Sequence, residues 1–202
     1  MLIERPYKLF RLFYKGAIWR LNTDEKVIYL TFDDGPTPEV TTKVLDILDA
    51  YNIKASFFCI GQNVINYPEI YQLLISKGHT VGNHTHSHLK GFEVSNEEYF
   101  ANVKEASKYI HSQYFRPPYG RIKRSQLRAL QKNYTVVLWD LITRDYNANL
   151  SNEYILQNIK RLKRNGSIVV FHDSKKAEKR LLAVLPEAIK YWIQQGYTFK
   201  KL

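Results

Sequence analysis

VIYLTFDDGPTP, residues 27–38, opens as an unbroken apolar run and ends on two adjacent carboxylates and a turn. A run without polar alternation reads as a strand covered on both faces, the habit of parallel sheets. Asp33 and Asp34 close that strand, and Gly35-Pro36 turns the chain behind them. Adjacent like charges repel, and a turn needs only one aspartate. A divalent cation nearby would keep both ionised.

Apolar runs and helical stretches alternate from there to the C-terminus. PEVTTKVLDILDAYN reads as a helix capped by Thr37 with Pro38 in its first turn. KASFFCI (54–60) is the next strand, and a helix through about Lys77 ends at Gly78. HTVGN (79–83) is extended, and a helix capped by Ser95 and Glu98 runs to about His111. Then come YFRPP, a helix over 123–132, the strand YTVVLWD (134–140) and a helix over 151–164. The strand SIVVFH (167–172), a helix around 177–195 and a final YTFKKL complete the pattern. Seven strand units with helices between them predict an α/β fold, a parallel (β/α) barrel one unit short of eight. An open doubly wound sheet is the alternative. No linker, repeat or low-complexity tract divides residues 1–202, so one domain is expected.

Composition narrows the classes. Apolar residues at 45% exclude a disordered chain, and the single cysteine, Cys59, excludes an intrachain disulfide or a Cys-rich zinc module. Within KASFFCIG it reads as a small core residue. No apolar run is long enough to span a membrane. MLIERPYKLFRLFYKGAIWRL lacks the continuous apolar middle of an export signal, which predicts a cytoplasmic chain, the alternative being a cell-envelope protein whose signal has been removed. The net charge of +11 suits nucleic acid, an acidic polymer, a membrane surface or plain solubility. No nucleic-acid-binding motif accompanies it, so no such partner is expected.

Position is more telling than composition. Asp33 and Asp34 end the first strand, His84 follows the third, and Arg116 sits at the fourth. Asp140 and Asp145 follow the fifth strand, and His172 ends the sixth. A parallel fold puts these positions on one face, where barrels keep their active sites. HTHSH (84–88) offers a metal two imidazoles, His84 and His88, if it forms a helical turn, or three with His86 if it is extended. With one carboxylate this is an open, catalytic donor set, and the other aspartate is free to act as a base.

TFDDG, HTHSH, RPPYG, the Asp145-Tyr146 step and VFH resemble, in order, the five motifs of the polysaccharide deacetylases (carbohydrate esterase family 4), over about residues 27–200. That resemblance implies a distorted (β/α)7 barrel that hydrolyses N-acetyl groups from chitin-like or peptidoglycan glycans. It makes Asp33 the base and Asp34, His84 and His88 the ligands of one divalent ion, zinc first, with cobalt, nickel or manganese compatible. Arg116 would hold Asp33, the Tyr119 backbone N–H would face the oxyanion, and His172 would be the acid, oriented by Asp145. Asp140 is the alternative partner of His172. Tyr146 replaces a usual Trp and Val170 a usual Leu, both at the pocket for the acetyl methyl, which implies a differently shaped pocket. A sugar O-acetyl esterase or small-amide hydrolase would use the same residues, and a non-catalytic basic protein would need none of them. Arg121, Lys123, Arg124, Lys175 and Lys176 follow strands at the same face, where they either draw in an acidic glycan substrate or form two solvated helix faces.

Overall fold

The computed structural model describes residues 4–202. Its sheet is organised on β1 (Val27–Asp33), in which only Tyr29 keeps partial exposure. Ile28, Leu30 and Phe32 join the core beneath the helices, whereas Tyr29 packs on an interior cluster of Phe58, Val137 and Ile168. Strand alternation therefore turns Thr31 and Asp33 inward as well, one above the other.

The remaining strands are β2 (Ser56–Cys59), β3 (Thr80–Asn83), β4 (Tyr114–Phe115), β5 (Thr135–Val136), β6 (Leu141–Ile142), β7 (Ser167–His172) and β8 (Thr198–Lys200). Their order is β5-β4-β3-β2-β1-β7-β6, every pair parallel, a curled half-barrel of the parallel α/β class expected as a (β/α)7 barrel. β8 pairs with the lower part of β1, at Val27–Tyr29, where β2, which joins only at Thr31–Asp33, has splayed away. The helices are α1 (Lys8–Arg11), α2 (Val40–Ala50), α3 (Gly61–Asn66), α4 (Pro68–Ser76), α5 (Asn96–Ser107), α6 (Arg124–Leu130), α7 (Asn152–Leu162) and α8 (Glu178–Gln194). Val44 and Leu48 of α2, Ile159 of α7, and Leu185 and Trp192 of α8 fill the outer core. Among the described residues no helix is long and apolar enough to cross a membrane.

Three expectations are corrected. Residues 61–77 form two helices, because Pro68 pushes Tyr67 out of helical geometry, to φ −136° and ψ 57°. Thr37 does not cap α2; Glu39, at φ 64°, precedes the helix, and the Thr37 N–H donates to Thr41 Oγ1. The strand foreseen over 134–140 is broken. The chain leaves β4 after Val136 and joins β7 at Leu141, with Asp140 at the entry of β6 and its N–H on the Ile168 carbonyl.

No helix separates β5 from β6, and the N-terminal segment covers that seam. The Ile142 N–H donates to the Glu4 carbonyl, Ile18 bridges Val137, and the Leu21 N–H donates to the Gly166 carbonyl. By contrast, Ser95 caps α5 as read from sequence, its Oγ accepting the Glu98 N–H at 3.1 Å.

Candidate active site

The C-terminal ends of β1, β3, β4, β6 and β7 open into a cleft of about 420 Å³. Asp33 and Asp34 line it together with His84, His88 and His172. Asp34 follows the last strand residue at φ 82°, which swings its carboxylate off the alternation of β1 and toward the histidines. Gly35 is there because a Cβ would lie 2.0 Å from the Asp173 carboxylate, which receives the Gly35 N–H at 3.2 Å.

His84 Nε2 stands 3.7 Å and His88 Nε2 3.2 Å from Asp34 Oδ1, and the three atoms lie within 4.8 Å of one another. His84 Nδ1 is 2.7 Å from the Arg116 carbonyl, which can only accept, so Nδ1 carries the proton and Nε2 presents a lone pair. Burial lowers the His84 pKa to about 4, keeping the ring neutral. Asp34 Oδ1 is buried with no hydrogen-bond partner. Burial opposes its charge, but His88, His172 and His84 outweigh that and hold the carboxyl well below its ordinary range. A lone pair and an orphaned anionic oxygen aimed at one point fit a cation, and His2Asp suits a divalent one.

The two histidines converge without a helical turn. Residues 84–88 are a loop with Thr85 at φ 65° and His88 at φ 56°. Asn102 Oδ1 pins it by accepting the His86 and Ser87 N–H groups at 2.8 and 3.2 Å. His86 turns away, its Nδ1 sitting 2.8 Å from where a Gly61 Cβ would be.

Asp33 is held from behind. Arg116, wholly buried, donates from Nη1 to Asp33 Oδ1 at 2.5 Å and to Thr31 Oγ1 at 2.9 Å. Its Nε and Nη2 reach the Val137 and Leu138 carbonyls, both at 3.2 Å, and its guanidinium lies 4.0 Å from the Phe58 ring centre. Every edge of the guanidinium is engaged, so Asp33 faces a fixed cation.

On the other side, Asp145 grips His172 twice. Its Oδ1 lies 2.7 Å from Nδ1, and its Oδ2 accepts the His172 N–H at 2.9 Å. Burial disfavours the imidazolium, yet Asp145, Asp34 and Asp33 raise its pKa to about 9. The ring is therefore held as the imidazolium at neutral pH, with Nε2 left for the cleft.

Residues 20–137 match the family model described as polysaccharide deacetylase. The chain belongs to the polysaccharide deacetylase family. It is 33% identical over 189 residues to a peptidoglycan-N-acetylglucosamine deacetylase of Bacillus cereus, covering 90% of this chain and 88% of the relative. A crystallised peptidoglycan N-acetylglucosamine deacetylase, in complex with a naphthyl N-hydroxybenzamide, superposes with a TM-score of 0.87. That pair shares 29% identity and covers 93% of this chain and 91% of the other. A mutant of a CE4 family pseudoenzyme with restored activity has the same fold, at TM-score 0.83 and 23% identity, over 92% of this chain and 69% of that one.

Elsewhere in this deacetylase-family cleft, Tyr119 sits at φ 60° with its ring 4.6 Å from that of His88. Tyr146 packs its ring against His172, with centroids 4.7 Å apart at 84°. Val170 is a correction. It is fully buried in the cluster with Trp139 and Ile142, and those two line the cleft in its place. Trp139 carried no signal in the sequence, because it lies in the bend where the expected strand breaks. Thr31 was also missed, hidden in an apolar strand; only inward alternation beneath Asp33 could have pointed to it.

Asp140 is a second correction. It lies at the opposite end of β7, bonded to Ser167 Oγ at 2.8 Å and to Arg5, Arg11 and Arg164. Of the five basic residues expected at the rim, Arg121 and Lys176 line the cleft, joined by Lys90. Lys175 pairs with Glu39, Lys123 donates to the Val94 carbonyl, and Arg124 lies over Phe13.

Proposed function

We propose that this protein removes N-acetyl groups from N-acetylglucosamine units of an acidic glycan of the peptidoglycan type. One observation carries the reading: an aspartate held by a buried arginine and an imidazole gripped by a second aspartate line the same cleft as an orphaned His2Asp donor set.

A divalent ion on Asp34, His84 and His88, zinc by donor chemistry with cobalt, nickel or manganese also accommodated, would supply Lewis acidity to the acyl oxygen and to water. Asp33, held by Arg116, accepts a proton from the attacking water. The Tyr119 N–H is assigned to the developing oxyanion. An amide nitrogen leaves only once protonated, and His172 Nε2 delivers that proton as the C–N bond breaks. Acetate and a free amino sugar result. Arg121 and Lys176 at the rim favour a substrate bearing carboxylates or phosphates, while Tyr146 and Tyr119 offer faces on which a sugar ring can stack.

Acetate release from peptidoglycan and from neutral chitin oligomers across a salt series tests this. Faster turnover of the acidic glycan, fading with salt and abolished by Asp33→Asn, is expected. Equal, salt-independent rates would remove the acidic-glycan assignment, and full activity in His172→Ala would point to ester rather than amide cleavage.

A further inference from the structure

The N-terminal segment that covers the seam is amphipathic in the inverted sense. Its arginines point into the protein, Arg5 and Arg11 lying 3.2 and 2.8 Å from the buried Asp140 carboxylate. Four of its large apolar side chains point out, with Leu9, Leu12 and Phe13 70%, 72% and 51% exposed and Tyr7 65% exposed. Positions 9, 12 and 13 have the spacing of one helical face, carried by α1 and the 3-10 turn Leu12–Tyr14. The segment is anchored, since Tyr14 packs inward on Trp19 with ring centroids 5.9 Å apart. Single exposed leucines are ordinary, but here four of the eleven exposed large apolar side chains among the described residues fall within seven positions.

A basic ridge borders this patch. The Arg124 guanidinium lies 4.9 Å from the centre of the Phe13 ring, and Arg128 follows one turn along α6. Gln131, just after α6, donates to the Lys15 carbonyl at 3.1 Å, tying the end of that helix to the segment. Arg124, Arg128, Lys132 and Lys15 are all exposed, and neither residues 5–20 nor residues 121–133 include a single acid.

We propose that this face docks on an anionic lipid bilayer, with Leu9, Leu12 and Phe13 entering the interfacial layer and Arg124, Arg128, Lys132 and Lys15 meeting head-group phosphates. Charge complementarity selects this occupant. In a two-fold dimer the acid-free ridges would oppose each other, and a nucleic-acid backbone offers nothing to the exposed leucines.

The test is cosedimentation of the whole chain with vesicles of phosphatidylglycerol and phosphatidylcholine, and with phosphatidylcholine alone. Binding to the anionic vesicles only, weakening with salt, is expected. Leu12→Glu/Phe13→Glu and Arg124→Glu/Arg128→Glu should each lower the partition coefficient by about tenfold, with circular dichroism unchanged. Absence of binding to anionic vesicles, or equal binding by either double variant, overturns the proposal. So does a wild-type dimer that Leu12→Glu dissociates, which would make the face a self-association surface. Sedimentation needs no turnover, so this outcome is separate from that of the hydrolysis proposed above.

Discussion

Asp145→Asn isolates what a buried carboxylate does for His172. The imidazole is wholly enclosed apart from its cleft edge, and the charge 2.7 Å from Nδ1 is the largest influence opposing desolvation. With a pKa of about 9 the ring is protonated about ten to one at pH 8. Asparagine keeps the shape and one acceptor but removes the charge, so burial carries the pKa to the ordinary 6.5 or below. At pH 8 the protonated fraction then falls to about 3%, and turnover by about thirty-fold, whereas at pH 6 the protonation deficit is less than about twofold. A bound divalent ion offsets part of the Asp34 contribution in both proteins, so the readout is the displacement of the alkaline limb, about 2.5 pH units. Acetate release measured from about pH 5 to about pH 10, with melting curves as a folding control, gives that displacement. An alkaline limb that coincides in the two proteins would refute the reasoning, because the Asp145 charge would then not be setting the acid.

Three further outcomes are expected. Dialysis against a chelator should abolish acetate release, and zinc added back at about a hundred times its dissociation constant should raise unfolding stability by about 2.7 kcal/mol; Asp34→Asn should show neither response. Arg116→Met leaves Asp33 buried beside no cation and should cost about 3–5 kcal/mol in urea unfolding, whereas a loss below about 1 kcal/mol would mean that Asp33 finds other support. His79 accepts the Ala55 N–H at 3.1 Å and, through burial and then Lys54, has a folded pKa of about 4 against 6.5 in the free side chain. The unfolded chain therefore takes up the proton first, and stability should decline by about 3 kcal/mol as pH falls from about 6.5 to about 4; a His79→Gln variant with the same decline would exclude this histidine as the source.

The chain's own text determined more than its fold class. Unbroken apolar strands ending in Asp33 and His172 announced a parallel sheet with its polar groups at one rim, because alternation and strand ends are local properties. HTHSH offered two or three imidazoles, and the loop it forms turns His84 and His88 toward Asp34. Local rules failed where closure of the barrel sets the outcome. Asp140 and Asp145 are five residues apart and of the same residue type, and only the bend between β5 and β6 sends one to the seam arginines and the other to His172. Val170 sits under the site and Trp139 in its wall because the N-terminal segment, not a helix, fills the gap there. Arg116 chose Asp33 and Thr31 across 83 and 85 positions of sequence, a distance that no spacing rule spans. Residue type and short-range periodicity are written in the sequence; which distant charges meet depends on how the sheet curls, and that is a property of the packed whole.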